Sequence, residues 1–128
     1  ERAFDILPIA KYSTLITQIA SKQGNTTLKN KMLILAQLAY EDSAKKGVNV
    51  DMELAYFLAD NDLNSNKALE LAQKAYETRK SIYGADTLAW AYYKNKNYTE
   101  AKKYIKEALK TNTKDPIILD HLTHINSK

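Results

Sequence analysis

His121 and His124 lie three residues apart beside Asp120, a spacing that can bring two imidazoles and a carboxylate onto one side of a helix and so invites a metal site. They sit close to the end of the chain, on a helix expected to fray, and two such ligands bind a metal weakly. They read as surface histidines, and no metal or cofactor is expected. Asp60 and Asp62 fall in DNDLNSN (Asp60–Asn66), where carboxylates among asparagines are turn formers rather than an acid–base pair. No nucleophile elbow, phosphate loop or HExxH motif occurs, and with two histidines and no cysteine in the chain catalysis is not expected. Trp90 and Tyr93 are different. They stand beside Asp86 and Lys94, off the apolar stripe of their own segment, and large aromatics next to a few charges make good anchors for a partner.

The 128 residues are enough to bury a core of ordinary size in one domain. With 45% hydrophobic and 27% charged residues the chain is an ordinary globular sequence rather than a disordered one. Three glycines and two prolines leave little turn chemistry for β-hairpins, which favours helices with short polar connections. The net charge of +4 comes from 19 basic residues interleaved with 15 acidic ones. Mixed signs focus little field, so a solvated lysine-rich surface is the favoured reading and nucleic acid is not an expected partner. Without cysteine, disulfides and thiolate metal sites are excluded and the compartment is left open. The longest apolar runs, such as Met32–Ala36, are far short of the roughly 20 residues that span a bilayer. The chain starts at Glu1 rather than Met, so a longer parent protein is expected.

The elements that must carry these residues follow from periodicity. Residues 1–9 hold Phe4, Ile6 and Leu7, with Pro8 limiting any helix before it. From Lys11 to about Gly24, Tyr12, Leu15, Ile16, Ile19 and Ala20 form one stripe. A helix from about Thr27 to Lys45 places Leu28, Met32, Leu35, Ala36 and Ala39 on one face. Asp51 caps a short helix, Met52–Ala59, and Asn66 is the expected cap of the next, which stacks Ala68, Leu71, Ala72, Ala75 and Tyr76 up to about Arg79. After a turn at Ser81–Gly84, Ala85–Ala108 reads as two helices in a hairpin, with Leu88, Ala89 and Tyr92 on one stripe and Ala101, Ile105 and Ala108 on the other. Asp115-Pro116 opens a last helix, Pro116–Asn126. Seven helices and no strand are expected.

A repeat runs through this series. Leu54, Leu88 and Leu122 are spaced by 34 residues, each followed by a small residue (Ala55, Ala89, Thr123), and Ala68–Ala72–Ala75 recurs as Ala101–Ile105–Ala108 at an offset of 33. A period of this size enclosing a helix–turn–helix marks a solenoid of stacked pairs. Leu88, Ala89 and Tyr92, followed by Tyr98, Ala101, Ile105 and Ala108, resemble the tetratricopeptide repeat family. The departures are Lys96, where the family often has a turn glycine, and Thr113, where it has proline. Residues 48–128 carry the resemblance, residues 1–47 look like a degenerate hairpin of the same kind, and the whole string is similar to the C-terminal end of larger bacterial proteins built from such repeats.

The resemblance implies one all-α domain, a right-handed superhelical solenoid of antiparallel helix hairpins divided as 1–47, 48–81, 82–114 and a terminal helix at 115–128. It also implies a concave groove lined by the first helix of each pair, in which a peptide or helix of a partner protein lies. Counting from the leucines, the groove residues are Met52, Tyr56, Ala59 and Asp60, then Asp86, Trp90, Tyr93 and Lys94, then Asp120 and His124. Trp90 either lines this groove or packs in the stack. Lys94 alone cannot clamp a peptide carboxylate, and Asp60, Asp86 and Asp120 make the groove partly acidic. Lys102, Lys103, Lys106 and Lys110 should lie on the outer side, where nucleic acid or an anionic surface is the competing reading. Ile117, Ile118, Leu122 and Ile125 give the last helix an apolar face with no capping helix after it, so self-association through the solenoid ends is a third.

Overall fold

The computed structural model describes residues 15–128, so the readings of Phe4, Ile6, Leu7, Pro8 and Tyr12 lie outside the described residues. The chain divides into two compact units, Glu1–Val50 and Asp51–Lys128. Seven helices and no strand are found among the described residues. The first unit holds α1, described over residues 15–22, and α2 (Thr26–Lys45). The second holds α3 (Asp51–Asp60), α4 (Ser65–Thr78), α5 (Ile82–Lys94), α6 (Tyr98–Ala108) and α7 (Pro116–Asn126).

One turn design recurs through both units. After α1 the amide of Asn25 donates to the Ala20 carbonyl and that of Gly24 to Ser21, with Gly24 at φ 73°. This is a Schellman cap, in which a left-handed residue turns the chain back over the last carbonyls of the helix. The same pair of bonds closes α2 at Gly47 (φ 87°), α3 at Asp62 (φ 54°) and α5 at Lys96 (φ 65°). Asp62 and Lys96 are 34 residues apart, so the turn repeats with the sequence period, but without glycine. A side chain in left-handed backbone costs about 1 kcal/mol relative to a glycine that needs no such strain. Asn25 and Asn97 each follow the left-handed residue at once and cap the next helix, accepting from the amides of Leu28 and Glu100. The connections are short because one residue ends a helix and the next starts another.

In the second unit α3 packs on α4 and α5, α5 on α6, and α7 on both α5 and α6. Each hairpin therefore lies against the first helix of the next, the stacking expected of a helical repeat. Ala85 and Ala89 of α5 meet Ala101, Ile105 and Ala108 of α6 and Ile118 and Ile125 of α7 in one buried cluster. A second cluster joins Ala55 of α3, Ala72 of α4, and Leu88 and Ala91 of α5. The alanines let the backbones approach, and larger chains such as Ile105, 1% exposed, fill the remaining depth.

Several sequence expectations need correction. The cap of α4 is Asn64 rather than Asn66, because its side-chain oxygen reaches the Lys67 amide three residues on, at 3.1 Å. The expected turn at Ser81–Gly84 is the first turn of α5, where Ser81 Oγ accepts from the Gly84 amide. A side chain at Gly84 would come within 3.3 Å of the Arg79 carbonyl, which explains a glycine inside the helix. The inner face of α2 is Leu33, Ala36, Tyr40 and Ser43, rotated from the predicted stripe, and Leu35 is exposed. The reason is that α2 is apolar on more than one side: Ile34 and Leu38 are 61% and 56% exposed. With so broad an apolar arc, periodicity alone does not choose which edge faces inward. Leu15 and Ile19 of α1 are likewise exposed, while Thr17 and Ala20 are buried.

Candidate functional site

The groove residues named from the leucine register lie on α3, α5 and α7, the three first helices of the second unit, and α5 touches both of the others. The structure sorts them into two layers. Asp86 and Trp90 are buried, Trp90 at only 6% exposure. Met52, Tyr56, Tyr93 and Lys94 are half-buried, and Asp60, Asp120 and His124 are exposed. Trp90 is thus not an exposed anchor. Its indole Nε1–H donates to Asp60 Oδ1 of α3 at 3.2 Å, and its ring stacks at 4.0 Å on His121 of α7. It fills the space between three helices, and its polar edge is satisfied at the same time.

His121 is the residue that sequence reasoning misplaced. It is a buried histidine, 2% exposed, not a surface one. Its Nδ1–H donates to Asp86 Oδ1 at 2.8 Å, so an otherwise costly carboxylate inside α5 has a partner on α7. Asp86 and His121 stand 35 residues apart, one repeat plus one position, and that near-match to the period was the signal available in the sequence. Every buried side-chain nitrogen and oxygen among the described residues has a hydrogen-bond partner. His124 is exposed, as expected, and its Nδ1–H donates to the Asp120 carbonyl one turn back. The two histidines therefore point to different surroundings, and among the described residues no three ligating side chains converge as a metal would need.

Around this buried pair lies a shell of rings. Tyr93 stacks near-parallel to Trp90 at 4.9 Å, His124 meets Trp90 edge-on at 5.8 Å, and Tyr56 tilts against His121 at 5.8 Å. Burial pushes the Tyr56 phenol above its ordinary value, and the charges of Asp60, Asp86, Asp120 and Asp115 push it further in the same direction. The hydroxyl therefore stays protonated, and the potential around it is negative. Two lysines touch this shell: Lys128 Nζ lies 5.6 Å from the centre of the Tyr98 ring, which tilts against Tyr93 at 5.8 Å, and Lys94 is held more closely. Its Nζ lies 5.3 Å from the centre of the Trp90 ring and 3.1 Å from Asp62 Oδ1. Asp62 is thus more than the turn former read from sequence: it also ties the α3–α4 turn to the end of α5. Asn95 adds a second tie, donating to the Ser65 carbonyl at 2.8 Å. An open polar cleft of about 280 Å³ lies beside these ties, lined by Asn64, Ser65, Asn66, Lys94, Asn95 and Lys96.

The tetratricopeptide repeat family model matches residues 83–115, from the second residue of α5 through α6 to the turn after it. Residues 83–115 are similar to a tetratricopeptide repeat. No curated protein and no solved structure matches the chain. The repeat match covers Asp86, Trp90, Tyr93 and Lys94, and the helices on either side bring Tyr56, Asp60, Asp120, His121 and His124 to it. Tetratricopeptide repeats build protein–protein interaction scaffolds, and that general class of role is what the match supports.

The lysines of α6 make a different surface. Lys103, Lys106 and Lys110 are exposed and Lys102 is half-buried, but Lys110 pairs with Glu107 at 2.9 Å and Lys103 lies over the Tyr104 ring at 5.2 Å. No helix among the described residues is long and apolar enough to cross a membrane.

Proposed function

We propose that Asp51–Lys128 is a non-catalytic interaction module that holds a peptide or helix of a partner protein along the face formed by α3, α5 and α7. The observation that carries this reading is the two-layer arrangement of that face. Trp90, His121 and Asp86 form a buried floor whose polar groups are satisfied, and Tyr56, Tyr93 and His124 present half-buried or exposed rings above it. Rings held by stacking lose little conformational freedom on binding, which is what an interface hot spot needs. Met52, Lys94, Asp60 and Asp120 supply the surrounding apolar and charged contacts.

A photoreactive phenylalanine placed at Tyr93 should crosslink a defined partner, and the same group placed at Lys103 on α6 should not. Equal capture at the two positions would overturn the reading. Self-association is a second reading, favoured by exposed Ile34 and Leu38 on α2 and Ile117 on α7. It predicts a sedimentation coefficient that rises with concentration, and a monomer throughout would dismiss it.

A further inference from the structure

We infer that the occupant of the α3–α5–α7 face is a basic peptide segment, with a lysine or arginine side chain lying against Tyr56 and Tyr93 between the carboxylates of Asp60 and Asp120. This rests on the reading of that face as the partner-binding one, and it adds the chemical class of the partner.

Charge complementarity carries the choice. The chain as a whole has a net charge of +4, so a cationic ligand is repelled on average and must be drawn by a local surface of opposite sign. The ring-bearing face is such a surface. Of its carboxylates, Asp86 is buried and already paired with His121, and Asp62 already holds Lys94. Asp60 and Asp120 are exposed on α3 and α7. Asp60 accepts a single side-chain bond, from Trp90, and the Asp120 carboxylate lies 3.6 Å from His124 Nδ1. An ionised carboxylate accepts about four hydrogen bonds, so both have capacity to spare.

The molecule also shows the intended contact once, made by its own side chain. Lys94 places an ammonium over the Trp90 ring and against a carboxylate at the same time. A cation on an aromatic face gains roughly 0.5 to 2 kcal/mol, more as water is excluded, and a carboxylate beside it adds direction. Tyr56 and Tyr93 offer two further rings of this kind, with Asp60 and Asp120 in the place that Asp62 takes for Lys94. An acidic peptide would meet the opposite arrangement, with the exposed carboxylates of Asp60 and Asp120 beside the rings. A partner of that sign would have to lie elsewhere.

The test uses the whole chain and three short fluorescent peptides of equal length: one rich in lysine, one rich in glutamate, and one neutral and amphipathic. Fluorescence anisotropy should show that the lysine peptide binds, that the glutamate peptide does not, and that binding weakens as salt rises. Asp60→Asn with Asp120→Asn should weaken the lysine peptide by about tenfold or more, the effect of losing about 1.4 kcal/mol. Asparagine keeps an oxygen to accept from Trp90, so the fold is retained. Glu70→Gln with Glu77→Gln, exposed on α4, removes the same charge elsewhere and should leave binding unchanged. The inference is overturned if the two double variants weaken binding equally, or if the glutamate peptide binds as well as the lysine peptide. If only the neutral peptide binds, and Tyr93→Ala abolishes that binding, the face stands as the partner site and the basic class falls. If no peptide binds, both readings fall.

Discussion

The second unit contains two groups of stacked rings, and they differ in the charged groups set around them. Between α4, α5 and α6, the rings of Tyr76 and Tyr92 each lie 5.7 Å from that of Tyr104, Tyr92 stacked on it and Tyr76 edge-on. The cations over those rings are lysines, Lys80 on Tyr76 and Lys103 on Tyr104, and the Tyr92 hydroxyl is held by the Gln73 amide. Between α3, α5 and α7, Trp90, His121, Tyr93 and Tyr56 are surrounded by Asp60, Asp86 and Asp120. The first group already carries its cations, so an incoming basic side chain finds those ring faces covered. The second has carboxylates in excess of cations. Ring content alone does not separate a core from a recognition face. The charges placed around the rings do.

Trp90→Ala should produce the largest effect, a loss of about 3 to 5 kcal/mol, because it removes a buried ring that three helices share. Tyr104→Ala, at a half-buried ring, should cost clearly less, and denaturant midpoints of the two variants measure the difference. A larger loss at Tyr104 would place the structural centre of the unit in the lysine-covered group. Asp86→Ala should cost about 3 kcal/mol, since it leaves His121 buried without its acceptor. Adding His121→Ala to that variant should cost much less than His121→Ala does alone, a double-mutant cycle that isolates the pair. Additive losses would show that the 2.8 Å contact contributes little.

Lys96→Gly should raise stability by about 1 kcal/mol, because glycine adopts the φ of 65° without strain. Asp62→Gly at the matching turn should gain less, since it also removes the Asp62–Lys94 ion pair, worth about 0.5 kcal/mol at so exposed a carboxylate. The smallest effect is confined to alkaline pH. Tyr56 has its folded value raised above the ordinary 10.0, so its contribution is fully present below pH 10 and is lost as pH rises through the folded value. Tyr56→Phe should flatten the alkaline fall in stability and leave neutral stability nearly unchanged, as read by thermal melts across that range.

The hairpins were legible in the sequence because their alanine stripes and leucine period report backbone packing, which depends on spacing. Pro116 and Asp115 placed α7 correctly for the same local reason. The inner face of α2 was not legible, since Ile34, Leu35 and Leu38 are apolar yet exposed. Within the candidate site, the leucine register put Asp60, Tyr93 and His124 on successive first helices, which are α3, α5 and α7. It gave no depth, and so took Trp90 for a possible anchor and His121 for a surface residue. Depth depends on what the neighbouring helix places opposite, here Asp86 against His121 and Asp60 against Trp90, and those are pairings between repeats that one helix's pattern does not contain.

Trp90 is the only tryptophan in the chain, so its fluorescence reports on the α3–α5–α7 face alone. Titrating the protein with the lysine-rich peptide while following that emission shows whether a basic segment docks on this face. The expected result is a saturable change that Tyr93→Ala abolishes and Tyr104→Phe leaves intact. Binding seen by anisotropy with no change in Trp90 emission, or a change that survives Tyr93→Ala, would contradict it.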